Sequence, residues 1–337
     1  MSALILAIVS ILGLLTAHEK AFAAVPGKKL VIAYAAMNAR VCPLWAPRER
    51  GFFAKYGYDA ETLFVRGAPT LVAAMASNEI EIGYTGGTAV IGAVASGSDL
   101  KVLSALTNRV TYDLVTRPGI KTPEDLRGKI FGVQSIGGTV WMGAILALEH
   151  LGLEPERDKI NIIAAGDQTV LAQALASGTL DATVLDGVQS RPLHARGFPI
   201  LAELDKARLP ILSASIVARE PYIQKNPQVV ESVMRAVIEG AAFCLSPIQK
   251  PTTLKILQKY LRVSEKDAEE GYKDMVSGLD RKPYANPAGV TNVVRLMKRT
   301  NPKVENVKPE TLIDDRILKK IDQSGFIDEM MTKYGVK

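Results

Sequence analysis

Two glycine-rich segments carry the strongest chemical signal in the chain. Thr85-Gly86-Gly87-Thr88 and Ser135-Ile136-Gly137-Gly138-Thr139 each lie between an apolar, β-prone run and a helical stretch. A helix starting at such a segment presents unpaired N–H groups and partial positive charge, a seat for carboxylate, sulfonate or phosphate. Glycine lets the backbone approach a ligand closely, and the hydroxyls add donors and acceptors. We read the two segments as equivalent positions of two similar units. Thr85, Gly86, Gly87 and Thr88, with Ser135, Gly137, Gly138 and Thr139, are therefore candidate ligand-binding residues. Catalysis has no comparable signal. The three histidines (His18, His150, His194) and two cysteines (Cys42, Cys244) show neither a Ser-His-Asp order nor metal-ligand spacing. No catalytic residue, metal ligand or cofactor is assigned.

The elements that would position these segments follow from apolar runs and helix stop signals. Leu30–Ala35 reads as a first strand and Pro43–Tyr56 as a helix closed by Gly57. Strands are expected at Leu63–Arg66, Ile80–Tyr84 and Val102–Ala105, with helices at Pro69–Asn78 and Thr88–Ser96 between them. The alternation predicts an α/β unit with helices on both faces of its sheet. The pattern then restarts. Strands are expected at Asp113–Thr116, Ile130–Val133, Ile160–Ile163 and Ala182–Leu185. Helices are expected at Thr139–Leu151 and Thr169–Ser177, and Thr122 reads as the cap of a short helix. Ser213–Ala218 is β-like and would carry the chain back. From Pro221 the sequence is helical, over Pro221–Leu245, Pro251–Tyr260, Ser264–Met275, Pro287–Thr300 and Pro309–Ser324. Two α/β lobes crossed more than once are expected.

Ala3–Ala17 is an almost unbroken apolar run, short for a bilayer span, and Ala21-Phe22-Ala23 offers a signal-peptidase site. Residues 1–23 are read as a cleavable export leader, although no Lys or Arg precedes the run. No cysteine follows closely enough to take a lipid. A periplasmic location is expected, an oxidising compartment. There Cys42 and Cys244 could be two thiols or one long-range disulfide. Composition is that of a large globular core, 47% hydrophobic and 23% charged. The net charge of +6 is scattered, without a basic run interleaved with aromatics. Nucleic-acid binding is not expected.

Four segments carry a family resemblance. Ile120–Val133 (I-K-T-P-E-D-L-R-G-K-I-F-G-V) resembles the helix-to-strand pattern I-x-[ST]-x-x-D-L-[KR]-G-K-x-[IV]-G-V of periplasmic binding proteins of the nitrate/sulfonate/taurine type. Trp45–Gly57 resembles their helix ending in G-[FY]-[FY]-x-x-x-G. Ala74–Gly83 and Ala174–Val184 both resemble the phrase A-x-x-[SN]-G-x-[IVL]-D-[IV]-[GA], the first with Asn78-Glu79 where glycine is usual. The physical content of the phrase is a positive-φ residue that ends a helix, followed by an acidic residue that opens a strand.

The resemblance implies a type II periplasmic-binding-protein fold, two Rossmann-like α/β lobes joined by hinge strands, with a helical C-terminal tail on the first lobe. Residues 28–112 and 217–337 would form the first lobe and 113–216 the second. It implies a non-catalytic receptor, a monomer, that holds a small anionic or heteroaromatic ligand for an ABC permease in the inner membrane. By the same resemblance Ser135–Thr139 aligns with a ligand loop, and Asn38 and Arg40 face the cleft. Gly67 and Ala68 follow the second strand. Trp141 could cover a ligand face or sit in the core. Asp186 could accept from a ligand amine or cap a helix. Arg109 and Arg117 flank the first crossing as solvated side chains. Thr111–Arg117 and Ser213–Arg219 are expected to be the hinge strands. Two other readings are weaker. A thiamine-pyrimidine synthase would need active-site histidine and a Cys-rich segment. A ligand sensor of a signalling system would need a following membrane segment or output domain.

Overall fold

The apolar run from Leu30 forms β1 (Lys28–Tyr34), burying Leu30, Ile32, Ala33 and Tyr34. The structure, a computed structural model, describes residues 28–336. The expected leader lies outside the described residues. After β1 come α1 (Cys42–Arg50), α2 (Phe52–Lys55) and β2 (Tyr58–Phe64). The single helix expected over Pro43–Tyr56 is broken at Gly51, whose φ of 71° belongs to a helix terminator. Then follow α3 (Ala68–Ala76), β3 (Ile82–Thr85), α4 (Gly87–Ala95) and β4 (Leu100–Arg109).

The second unit contains β5 (Asp113–Thr116), β6 (Ile130–Val133), α5 (Thr139–His150), β7 (Asn161–Ala164), α6 (Gln168–Ala176) and β8 (Ala182–Leu185). It continues through α7 (Gly187–Ala195), β9 (Ile200–Glu203) and α8 (Leu204–Ala207), none of which the sequence pattern predicted. Pro192 inside α7 and the polar content of that helix obscure its periodicity. The chain then enters β10 (Pro210–Arg219).

Each sheet has five strands, ordered β2-β1-β3-β10-β4 and β7-β6-β8-β5-β9. In each, three strands run parallel and the fourth in the order is antiparallel to its neighbours. The sheets therefore correspond strand for strand in order and direction, with β1 matching β6, β3 matching β8 and β10 matching β5. This corrects the reading of the two glycine-rich segments as equivalents. Thr85–Thr88 follows β3, whereas Ser135–Thr139 follows β6, the counterpart of β1. The true counterpart of Gly86-Gly87 is Asp186-Gly187. The repeated phrase before β3 and β8 does occupy matching positions, with Asn78 at φ 65° and Gly178 at φ 80°.

The crossings also differ from expectation. Ser215–Ala218 pairs with Ile82–Thr85 on one side and β4 on the other, so Ser213–Arg219 is part of a central strand of the first sheet. Asp113–Thr116 is likewise central in the second. The chain crosses at Val110–Tyr112 and returns through α8 and Arg208-Leu209. The two crossings are tied by Val110 N–H to Leu209 O (2.9 Å) and Leu204 N–H to Tyr112 O (2.9 Å). Thr122 caps nothing; Asp125 instead accepts from the N–H groups of Lys121 and Thr122 (2.9 and 3.0 Å).

The tail comprises α9 (Glu220–Lys225), α10 (Pro227–Leu245), α11 (Lys250–Leu261), α12 (Glu265–Gly278), α13 (Pro287–Met297), α14 (Pro309–Leu312), α15 (Arg316–Gln323) and α16 (Phe326–Lys333). Asn226 divides the expected Pro221–Leu245 helix, and α14 and α15 divide the expected Pro309–Ser324 helix. α10 buries one face against α1 and the first sheet, placing Val233, Val237, Ala241 and Cys244 in that core. α13 covers the other face at β10, where Gly289 lies against the Ile211 backbone. The tail also reaches the second lobe. α12 packs on α7, and Arg295 of α13 makes a two-point ion pair with Glu149 of α5 (2.6 and 2.7 Å).

Candidate functional site

The C-terminal ends of β1, β3 and β6 converge between the sheets on a cavity of about 40 Å³. This is where ligands lie in open α/β sheets. Asn38 and Arg40 enter from the turn after β1. Ala68 opens α3. Thr85 and Gly86 end β3, while Gln134, Ser135, Gly138 and Thr139 come from the loop before α5. Tyr112, from the first crossing, and Ser213, from β10, also line it.

Arg40 dominates the electrostatics. It is 3% exposed. Its Nη1 donates to Thr111 Oγ1 (2.8 Å), and its guanidinium lies over the Tyr112 ring, 4.4 Å from the centroid. Asn38 fixes the turn by accepting from Arg40 N–H (3.2 Å), and Tyr84 OH donates to Arg40 O (2.7 Å). Nη2 is buried with no partner among the described residues. Burial works against its charge, but Tyr112, Asp186 and Asp274 outweigh this and keep Arg40 protonated. A buried guanidinium with a free N–H is suited to a planar anion.

Neutral donors surround it. Thr85 Oγ1 and Ser213 Oγ are buried without partners. α4 and α5 start at the cavity, and neither Gly86 nor Gly138, their N-caps, supplies a side-chain hydrogen bond. Their first N–H groups are therefore open to a ligand from either lobe. The lobes meet tightly here. A Cβ on Gly86 would overlap Thr139 Oγ1 and stand 3.0 Å from Thr139 Cβ. Gln134 Nε2 donates across the gap to Ala35 O (3.1 Å), and Arg66 pairs with Asp167 (2.7 Å).

Two carboxylates lie behind Arg40. Asp186 is 2% exposed, and burial pushes it up to about 6 despite the nearby guanidinium. Asp274, from α12 of the tail, accepts from Gly187 N–H at the start of α7. Burial and the charge of Asp186 push Asp274 up to about 7. The N-terminus of α7 is thus occupied by a carboxylate of the chain itself.

Eight of the residues singled out in the sequence line the cavity: Asn38, Arg40, Ala68, Thr85, Gly86, Ser135, Gly138 and Thr139. The others do not. Gly67 makes the positive-φ turn (91°) that begins α3 and faces Ser135. Gly87 packs on Leu212, and Thr88 is fully buried behind the cavity. Gly137 turns the loop at φ 78°. Trp141 lines a separate groove with Leu296 and Arg299. Asp186 borders a wider groove that shares Asn38 with the cavity. Sequence reading missed Tyr84, Tyr112, Gln134 and Ser213. Gln134 had the available signal, a polar residue directly after a buried strand.

Two pseudo-equivalent α/β lobes around an interlobe cleft define a periplasmic-binding-protein fold. Residues 38–250 match the family model described as NMT1/THI5 like, and the chain belongs to that family. A Brucella abortus protein, provisionally named as a binding protein, is 25% identical over 229 residues, 67% of this chain and 69% of its own. The alkanesulfonate-binding protein SsuA from Xanthomonas axonopodis pv. citri, solved with MOPS, has a TM-score of 0.69 at 16% identity. That match covers 88% of this chain and 98% of SsuA. The nitrate-binding protein NrtA from Synechocystis has a TM-score of 0.65 at 14% identity, covering 92% and 90%. At such identities the structural likenesses establish the fold.

Proposed function

We propose that this protein is an extracytoplasmic solute-binding receptor that captures a small anionic or heteroaromatic ligand between its lobes and delivers it to an ABC importer. One observation carries the reading: Arg40, buried in the interlobe cavity with Nη2 unpartnered, between the uncapped starts of α4 and α5. The first lobe is taken as 28–112 with 210–336 and the second as 113–209, the second boundary moved from 217 because β10 lies in the first sheet. The receptor works as a monomer and is non-catalytic. Neither His150 nor His194 lines the cavity, and His194 Nδ1 lies 3.1 Å from Phe198 O in the second lobe. Among the described residues no helix is long and apolar enough to cross a membrane.

The cavity of about 40 Å³ is lined by both lobes, which touch across it at Gly86–Thr139 and through Gln134 Nε2 donating to Ala35 O (3.1 Å). The shape is therefore that of a closed cleft, and the lobes must part at the two crossings to admit a larger solute. Native mass spectrometry of the protein purified from its own cells should show one small molecule bound per chain, released unchanged on denaturation. A released compound that the protein converts on re-addition would reject the receptor reading.

A further inference from the structure

α10 crosses α1 at very short range because residue 240 is glycine. A Cβ there would lie 2.5 Å from Pro43 O and 2.6 Å from Pro47 Cδ. One turn further along the same face of α10 stands Cys244, and beside Pro43 stands Cys42, the first residue of α1. The close crossing brings the two sulfurs to 3.3 Å, and both residues are fully buried. These are the chain's two cysteines.

Their placement in the chain gives the contact its meaning. The first lobe is built from two segments, one before and one after the second lobe. Cys42 lies in the first segment and Cys244 in the second, 202 residues apart. We propose that Cys42 and Cys244 form a structural disulfide that joins the two halves of the first lobe when the chain folds under oxidising conditions. A modest side-chain rotation brings the sulfurs from contact to a bond of about 2.05 Å. The bond closes a very long loop and so removes much of the entropy of the unfolded chain. It forms by two exchanges with a small-molecule disulfide. One cysteine thiolate attacks the donor and expels one thiolate, and the second cysteine attacks the mixed disulfide and expels the other. The two electrons from the protein thiols reduce the donor to two thiols, which take up the two protons the cysteines give up.

Burial decides when this happens. In the folded chain neither sulfur is reachable, and burial with the adjoining thiol raises the Cys244 thiol well above its ordinary range. A buried thiol is a poor nucleophile. The redox state is therefore set during folding and then preserved, whatever solution the folded protein later meets. The inference does not depend on the ligand.

The test is refolding of the reduced full chain in mixed reduced and oxidised glutathione, in parallel with refolding in excess reductant. After oxidative refolding, alkylation in denaturant should find no free thiol, and peptide mapping should find Cys42 linked to Cys244. The thermal midpoint should rise by about 10 °C over the reduced form. Protein refolded in reductant and then moved to the glutathione mixture should keep both thiols for hours. A Cys42→Ala/Cys244→Ala variant should melt at one temperature from both buffers. Two alkylatable thiols after oxidative refolding would overturn the proposal, as would a cross-linked dimer or a linked form that melts below the reduced one.

Discussion

Gly86 of the first lobe stands against Thr139 of the second so closely that no side chain fits between them. A Cβ at Gly86 would overlap Thr139 Oγ1 and sit 3.2 Å from Ser213 O. The hydroxyl can rotate away, but Thr139 Cβ cannot without parting the lobes, and the Ser213 backbone is held in β10. Gly86→Ala should therefore oppose closure and weaken ligand binding by about 1–3 kcal/mol, the usual cost of overpacking. Small-angle scattering of this variant at saturating ligand should give a larger radius of gyration than wild type. Identical radii would mean the contact is no part of closure.

Thr139 has a second role. It opens α5 at the cavity, where its hydroxyl and the helix N-terminus can share an anion. Thr139→Ala should weaken binding by about 1–2 kcal/mol, the size of one hydrogen bond to a charged group. The thermal midpoint of the ligand-free protein should move little. A fall in midpoint without a fall in affinity would assign Thr139 to the fold alone.

Asp186 and Asp274 predict a pH dependence. Each has an ordinary value of 3.8, raised to about 6 and about 7 respectively. A carboxyl raised on folding binds more protons in the folded state, so its contribution is complete below the unfolded value. It is lost as pH rises through the folded one. Stability should therefore decline between about pH 4 and pH 7 on account of this pair. Glu239, at about 2 beside Lys55 and Lys333, acts in the opposite sense only in stronger acid. In Asp274→Asn the denaturation midpoint should vary less between pH 5.5 and pH 8 than in wild type. An unchanged slope would show that burial does not raise the pair.

Local sequence patterns reveal what local forces decide. The strand, small-residue turn and helix that bring Thr85–Gly86 and Gly138–Thr139 to the cavity are visible as apolar runs ended by glycine. So is the positive-φ turn at Asn78 and Gly178, because backbone sterics alone demand it. Sheet order is decided by pairing between distant segments, and there the reading failed. β10 has the short, apolar look of a hinge strand, yet it is wedged between β3 and β4. The same gap led to Thr85–Thr88 being matched with Ser135–Thr139 instead of Leu185–Val188. Tyr112 and Ser213 went unnoticed because they reach the cavity from the first crossing and from β10, roughly 100 residues apart in sequence. No periodicity records that meeting.

The central claim is that Arg40 holds an anion between the lobes without transforming it. Calorimetry of wild type and Arg40→Met against nitrate, sulfate, short alkanesulfonates and aromatic carboxylates tests it most directly. Methionine preserves most of the volume and removes the charge. The account predicts at least one compound that binds wild type at one per chain and is recovered chemically intact. In Arg40→Met its affinity should fall by about 2–4 kcal/mol, as for a lost charge-assisted pair of hydrogen bonds. Equal affinity in the two proteins, or conversion of the bound compound, would contradict it.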